Sequence, residues 1–127
     1  MAATFDAKDP HFQQIEAMLA SEAGSAISVR AVSDSMSFAG ADRTLFLYIK
    51  RTDNELTIVF IRAPRPGTGL AARILDTLKE YALQEGIDSI DVELVPTEGM
   101  RRFCVKHGFH ESQPRHYVLA LSRLSAV

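Results

Sequence analysis

The 127-residue chain sets 14 Lys and Arg against 16 Asp and Glu, for a formal net charge of −2, and is 46% hydrophobic and 24% charged. That length makes one domain over residues 1–127, burying roughly two-thirds of its unfolded surface, with the composition of a packed globular protein rather than a disordered or collagen-like one. The small acidic excess argues against a general nucleic-acid binder, which needs surplus Lys and Arg on one face.

Asp9-Pro10 reads as an N-cap followed by proline at the first helical position. Phe12, Ile15, Met18 and Leu19 recur behind it at helical spacing until Gly24. Residues Ile27 to Ser33 alternate apolar with polar or small, as a half-buried strand does, and Asp34 to Asp42, rich in Ser, Asp and Gly, reads as a loop. Arg43 to Lys50 reads as a second strand; Thr52-Asp53-Asn54 turns it back into a third at Leu56 to Arg62, completing an antiparallel meander.

The third strand breaks at Ala63-Pro64-Arg65-Pro66 and passes through Gly67-Thr68-Gly69-Leu70-Ala71 into a helix ending at Glu85, with Gly86 as C-cap. Leu70, Ile74, Leu78, Tyr81 and Ala82 form its apolar stripe. Ile87 to Leu94 is a strand reached by a right-handed crossover, hence parallel to the one before. Thr97-Glu98 opens a helix carrying Met100, Phe103, Cys104 and His107 on one stripe before Gly108, and His116 to Ser122 closes the sheet. If that last strand lies at an edge, it is a place for a second copy to pair, giving a homodimer.

The chemistry concentrates at the glycine turn. A strand feeding a glycine-bearing turn at a helix N-terminus gathers unpaired N–H groups in front of the positive end of the helix dipole, a site for phosphate or pyrophosphate, and Arg62 and Arg65 flank it. It is not a Walker A loop, because Leu70-Ala71 stand where Lys-Ser/Thr is required. It is also a poor dinucleotide fingerprint, because the strand before it belongs to a meander.

The order meander, glycine turn, helix, strand, short helix, Gly-Phe and final strand resembles that of the GCN5-related N-acetyltransferases. Gly69-Leu70-Ala71 matches part of that family's Gln/Arg-x-x-Gly-x-Gly/Ala signature, with Arg65 one residue ahead of the family arginine, whose place is held by Pro66. Phe103-Cys104-Val105-Lys106-His107-Gly108-Phe109 is similar to its late aromatic-x-x-Lys-x-Gly-Phe segment. The resemblance implies an α/β fold with a central mixed sheet, helices on both faces, and an acyl-coenzyme A ligand, most often acetyl-CoA. It places the pyrophosphate on the amides of Gly67, Thr68, Gly69, Leu70 and Ala71, the pantetheine along Ile61, Arg62 and Ala63, and Phe103 beside the cofactor.

Acyl transfer to an amine needs a proton acceptor and an acid for the departing thiolate. The resemblance puts Cys104 where the family commonly has a tyrosine acid; the other reading of Cys104 is a packed apolar residue on its helix stripe. No carboxylate stands on the strand from Thr57 to Ile61, while Asp91 and Glu93 share one face of the next strand, and Glu93, nearer the splayed end, is the expected base. His107, His110 and His116 lack zinc spacing with any companion cysteine, so no metal is expected, although His110 or His116 is a candidate base through water. Arg101, Arg102 and Lys106 are either an exposed helix face or a contact for the nucleotide 3′-phosphate.

With Cys104 as the sole cysteine, no disulfide is possible within the chain. No signal-peptide pattern opens it and no run is long enough for a membrane span, so the expected compartment is the cytoplasm. The expected activity is acetyl transfer to an amine of a small molecule, peptide or protein. The alternative is a non-catalytic acyl-CoA-binding module that regulates a partner.

Overall fold

The computed structural model describes residues 4–41, 45–62, 68–93 and 97–121. Helix α1 (Pro10–Ala23) begins where the Asp9 side chain accepts from the His11 N–H at 2.8 Å and ends on Gly24 in the left-handed conformation. Then come β1 (Ser28–Val32), β2 (Ser35–Ala39), β3 (Phe46–Arg51), β4 (Glu55–Arg62), α2 (Leu70–Glu85), β5 (Ser89–Val92), α3 (Glu98–Lys106), β6 (His110–Gln113) and β7 (His116–Ala120).

The strands form one sheet in the order β1-β2-β3-β4-β5-β7-β6, antiparallel except for the parallel pair β4 and β5. The meander therefore has four strands, not three. The residues read as a loop after Asp34 contain β2, in which Met36 and Phe38 point inward between Ser35, Ser37 and Ala39. Strand β6, all of it exposed, was not expected at all. It covers β7, so β7 is an inner strand, and the pairing of a second copy along it that an edge position would permit is closed off.

One face of the sheet carries the core. Met36 and Phe38 of β2, Leu47 and Ile49 of β3, Leu56 and Ile58 of β4, and Ile90 and Val92 of β5 follow one another across it by register. Each such side chain contributes about 1.5–3 kcal/mol by leaving water. Helices α1 and α2 pack together on this face, where the Phe12 ring sits 4.6 Å from Tyr81 and 6.5 Å from Phe38. Helix α3 reaches Tyr117 through Arg101, and Gly108 just beyond the helix lies beside Leu119; both Tyr117 and Leu119 lie on that face by register. The connections β4-α2-β5 and β5-α3-β6 advance in one direction across the sheet, and right-handed crossovers then put both helices on the same side, so the mixed sheet stands as expected but the described helices cover one face of it and not both.

Candidate functional site

Strands β4 and β5 pair from Glu55 opposite Ser89 to Ile58 opposite Val92, and the Glu93 N–H still donates to the Ile58 carbonyl at 3.2 Å. There the two part. On its other side β4 carries a bulge: Ile49 pairs with Ile58 and Tyr48 with Phe60, so Val59 is left without a partner in β3. An inserted residue bends and twists a strand. It also reverses the alternation, so Phe60 turns to the face opposite Ile58 and meets the Phe46 ring at 5.8 Å.

Beside this end of the pairing lies a cavity of about 740 Å³. Residues Val59 to Arg62 of β4 form one wall, with the Arg62 guanidinium 5.1 Å over the Phe60 ring. Leu70, Ala71 and Ile74 of α2 form a second, backed by Leu19 of α1. Glu93 at the end of β5, Thr97, Met100 and Phe103 at the start of α3, and Arg115 in the β6–β7 turn complete the enclosure.

Helix α2 meets the cavity with its N-terminus. Gly69 is the N-cap in the left-handed region, φ 81°, where a side chain is disfavoured, and its carbonyl accepts from the Arg73 N–H at 3.1 Å. The Leu70 N–H donates to the Thr68 hydroxyl at 3.4 Å, whereas among the described residues the N–H groups of Ala71 and Ala72 have no acceptor. No acidic side chain stands in the first turn to neutralise the positive end of the dipole. Leu70 and Ala71 line the cavity at this N-terminus.

Of the two carboxylates on β5, Glu93 is exposed and borders the cavity. Asp91 is buried: its Oδ1 accepts from the Ser89 hydroxyl at 3.2 Å and its Oδ2 lies 3.3 Å from His116 Nε2. On α3, Thr97 caps the helix by accepting from the Met100 N–H at 3.1 Å, Phe103 faces the cavity and leans on His107 at 4.4 Å, and Cys104 is sealed in the core at 0% exposure. Burial pushes the Cys104 thiol from 9.0 up to about 11. Among the described residues no group of His, Cys, Asp and Glu is arranged to hold a metal ion, and no helix is long and apolar enough to cross a membrane.

No family model matches the chain, and no curated protein matches it in sequence. Solved structures match it in shape. A GNAT-family acetyltransferase from Staphylococcus aureus Mu50 superposes with a TM-score of 0.57 at 13% identity over 92% of this chain and 80% of that one. The aminoglycoside 6′-N-acetyltransferase from Enterococcus faecium does so at 0.53 and 10% identity over 96% and 97%. The anti-CRISPR protein AcrVA5 gives 0.55 at 17% identity over 67% and 97%. The chain has the GNAT fold.

Within that fold the sequence-based site divides into three groups. Ile61, Arg62, Leu70, Ala71, Glu93 and Phe103 come together on the cavity, and Thr68 and Gly69 cap the helix that bounds it. Ala63, Arg65 and Gly67 lie outside the described residues. Cys104 does not border the cavity: it faces the apolar interior, so the thiol read as a candidate acid is presented to neighbouring core side chains instead. His116 is held against Asp91. Sequence reasoning missed Leu19, Phe46, Phe60, Met100 and Arg115 as cavity residues. Phe60 and Phe46 depend on the bulge, which no residue type announces, whereas Arg115 after Pro114 at a turn was a readable signal.

Proposed function

We propose that the chain binds acetyl-CoA in the β4/β5 opening and transfers its acetyl group to an amine. The observation that carries this reading is the coincidence of three features at one place: the end of the described β4–β5 pairing, the cavity beside it, and the acid-free N-terminus of α2 at its mouth. The residues fit the ligand. Amides at a helix N-terminus suit a pyrophosphate, the continuing edge of β4 beyond Ile58 offers backbone groups to an amide-bearing pantetheine arm, and a mostly apolar cavity suits the thioester end.

Bound there, acetyl-CoA supplies an activated acetyl thioester. The chain's own residues do the rest. Glu93, the carboxylate on the wall, accepts the proton from the incoming ammonium so that a neutral amine attacks the thioester carbonyl; the C–S bond breaks and coenzyme A leaves as the thiol, taking the proton that the acylated nitrogen sheds, while Val59, Met100 and Phe103 keep water from the thioester. The acceptor is a small-molecule, peptide or protein amine. A chain with a single cysteine suits a cytoplasmic setting.

The second reading is a non-catalytic acyl-CoA-binding module, and the burial of Cys104 favours it, since that position gives the cavity neither a phenol nor an accessible thiol. Calorimetry with acetyl-CoA and thiol release with a panel of amines decide among the readings. Binding with turnover supports the transferase, binding without turnover on any amine supports the module, and no binding and no thermal shift with any coenzyme A ester rejects both.

A further inference from the structure

Asp91 is a buried carboxylate that the proposed transfer leaves without a task. It stands on β5 two residues before Glu93, on the same face of the strand, and both of its oxygens are engaged. The Ser89 hydroxyl donates to Oδ1 at 3.2 Å, and His116 Nε2 lies 3.3 Å from Oδ2. A charge held out of water in the middle of a strand is costly unless it is paired, and here the pairing is with one imidazole. A carboxylate only accepts, so Nε2 carries the proton of the neutral His116 ring and Nδ1 keeps its lone pair.

The ring held in this way is the neighbour of Glu93. Val92 pairs with Tyr117, so Glu93 and His116 are the next two residues in register, and side chains so placed have Cβ atoms about 5 Å apart. The His116 side chain is 29% exposed, and its Nδ1 has no partner among the described residues. Glu93 borders the cavity and His116 does not, which sets their order: Glu93 at the substrate, His116 behind it. The other titratable groups near the ring stand off this line. Glu111 of β6 pairs in register with Tyr117, on the other face, and its carboxylate accepts from the Arg115 N–H at 3.1 Å; His110 is opposite Val118, two residues along β7; Arg115 precedes the ring in the turn.

We infer that Glu93 and His116 form a proton relay in which Asp91 is the positioning residue. The ammonium N–H bond breaks as Glu93 takes the proton, a single water passes it to His116 Nδ1, and Glu93 is a carboxylate again while Asp91 stabilises the imidazolium. The ring then releases the proton to solvent, the one proton by which an ammonium exceeds its amide and the free thiol. The gain is in the equilibrium: reference acidities put a proton on an alkylammonium about six orders of magnitude ahead of a carboxylate but only about four ahead of an imidazole, so a relay ending on imidazole leaves more of the amine neutral. This inference rests on the proposed acetyl transfer, and it adds the destination of the proton.

The test has one arm that needs no turnover. Nitrogen-15 NMR of the full-length chain, with the His116 signals identified by their loss in H116Q, should find the Nε2–H tautomer at high pH, and D91N, whose amide N–H can face Nε2, should turn the ring to Nδ1–H. The second arm follows thiol release from acetyl-CoA between pH 6 and 9 with ethanolamine, phenethylamine and spermidine, on whichever the parent turns over fastest. H116Q keeps a donor for Asp91 but no proton acceptor; kcat should fall by about 10–10²-fold, the rise of kcat through the imidazole range should vanish, and acetyl-CoA affinity by calorimetry should stay. D91N should be slowed in the same way, and imidazole in the buffer should restore part of the rate of H116A. A parent ring in the Nδ1–H tautomer overturns the inference, and so does an H116Q variant as fast as the parent or with the parent's pH profile. An H116Q variant that loses coenzyme affinity along with rate, or an H116A variant that imidazole does not help, makes the pair structural and overturns it too. A parent that binds acetyl-CoA but turns over none of the amines, or does not bind it, defeats the proposed transfer itself, an outcome the tautomer measurement does not share.

Discussion

The Glu93 N–H and the Ile58 carbonyl, 3.2 Å apart, make the last bond between β4 and β5 among the described residues, and the Glu93 side chain stands at the point where the cavity begins. Its carboxylate is therefore placed by the strand pairing. Glu93→Gln keeps the backbone bond and the size of the side chain while removing the base. We expect turnover of an accepted amine to fall by about 10²–10⁴, the usual worth of a positioned base, with the acetyl-CoA dissociation constant unchanged. Steady-state kinetics with calorimetry checks this; a variant as fast as the parent would show that Glu93 takes no proton.

Gly69 offers a second test at the other end of the cavity. An added Cβ there meets nothing within 4 Å, so bulk alone does not disturb the chain, but the left-handed backbone costs a β-branched residue about 1–2 kcal/mol. Gly69→Val is expected to fold with a melting temperature lowered by several degrees. The reshaped cap also carries bulk toward the amides of Ala71 and Ala72, which have no acceptor among the described residues, and acetyl-CoA affinity should drop at least tenfold by calorimetry. Unchanged affinity would remove the α2 N-terminus from the site.

Much of this was legible in the residues, for reasons that differ by element. Asp9-Pro10 and Gly24 bound α1, and Gly86 ends α2, because caps are local chemistry written in one or two side chains. Strand β2 was hidden because its outward residues, Ser35, Ser37 and Ala39, have the composition of a loop, although Met36 and Phe38 kept the two-residue period. Strand β6 had no period to read, being exposed on both sides and held only by its pairing with β7. At the site, the glycine turn and Glu93 could be located from pattern. Cys104 sits on its helix stripe as expected, yet which way that stripe faces relative to the cavity is a property of packing. The bulge at Val59, which turns Phe60 toward Phe46, is likewise a tertiary fact.

The core fastens β3 to α2 through one polar link. Arg51 Nη1 donates to the Tyr81 hydroxyl at 2.7 Å and to Glu85 Oε1 at 2.9 Å, and its Nε donates to the Thr52 carbonyl at 3.2 Å. Burial pulls the Arg51 pKa down, but the bonds to Glu85 and Tyr81 outweigh it and raise it above its ordinary value, so the side chain stays charged. Arg51→Met strands the Tyr81 hydroxyl in the interior and should cost about 2–4 kcal/mol, against about 1 kcal/mol for Tyr81→Phe, which leaves Arg51 its other partners. Urea unfolding of the two variants and their combination gives the coupling; equal costs would mean that the link adds nothing beyond packing.

Cys104 predicts an alkaline limit to stability. In the folded chain burial holds its thiol protonated up to about pH 11, while the unfolded chain releases the proton near 9.0. Between those values the folded state binds more protons than the unfolded one, so stability is intact below pH 9 and declines as pH rises toward 11, by about 3 kcal/mol in all. Burial raises the Tyr81 pKa as well, which adds a loss of the same sign above pH 10. Denaturant melts from pH 8 to 11 should show this decline, and Cys104→Ala should flatten its lower part at a cost of about 1 kcal/mol in the plateau from the smaller side chain. In parallel, Ellman's reagent at pH 8 should label the thiol only as fast as the chain opens, because the reactive thiolate forms outside the core. Rapid labelling of the native protein, or a parent melt as flat as that of the alanine variant, would place the sulfur at the cavity after all and return it to consideration as the acid.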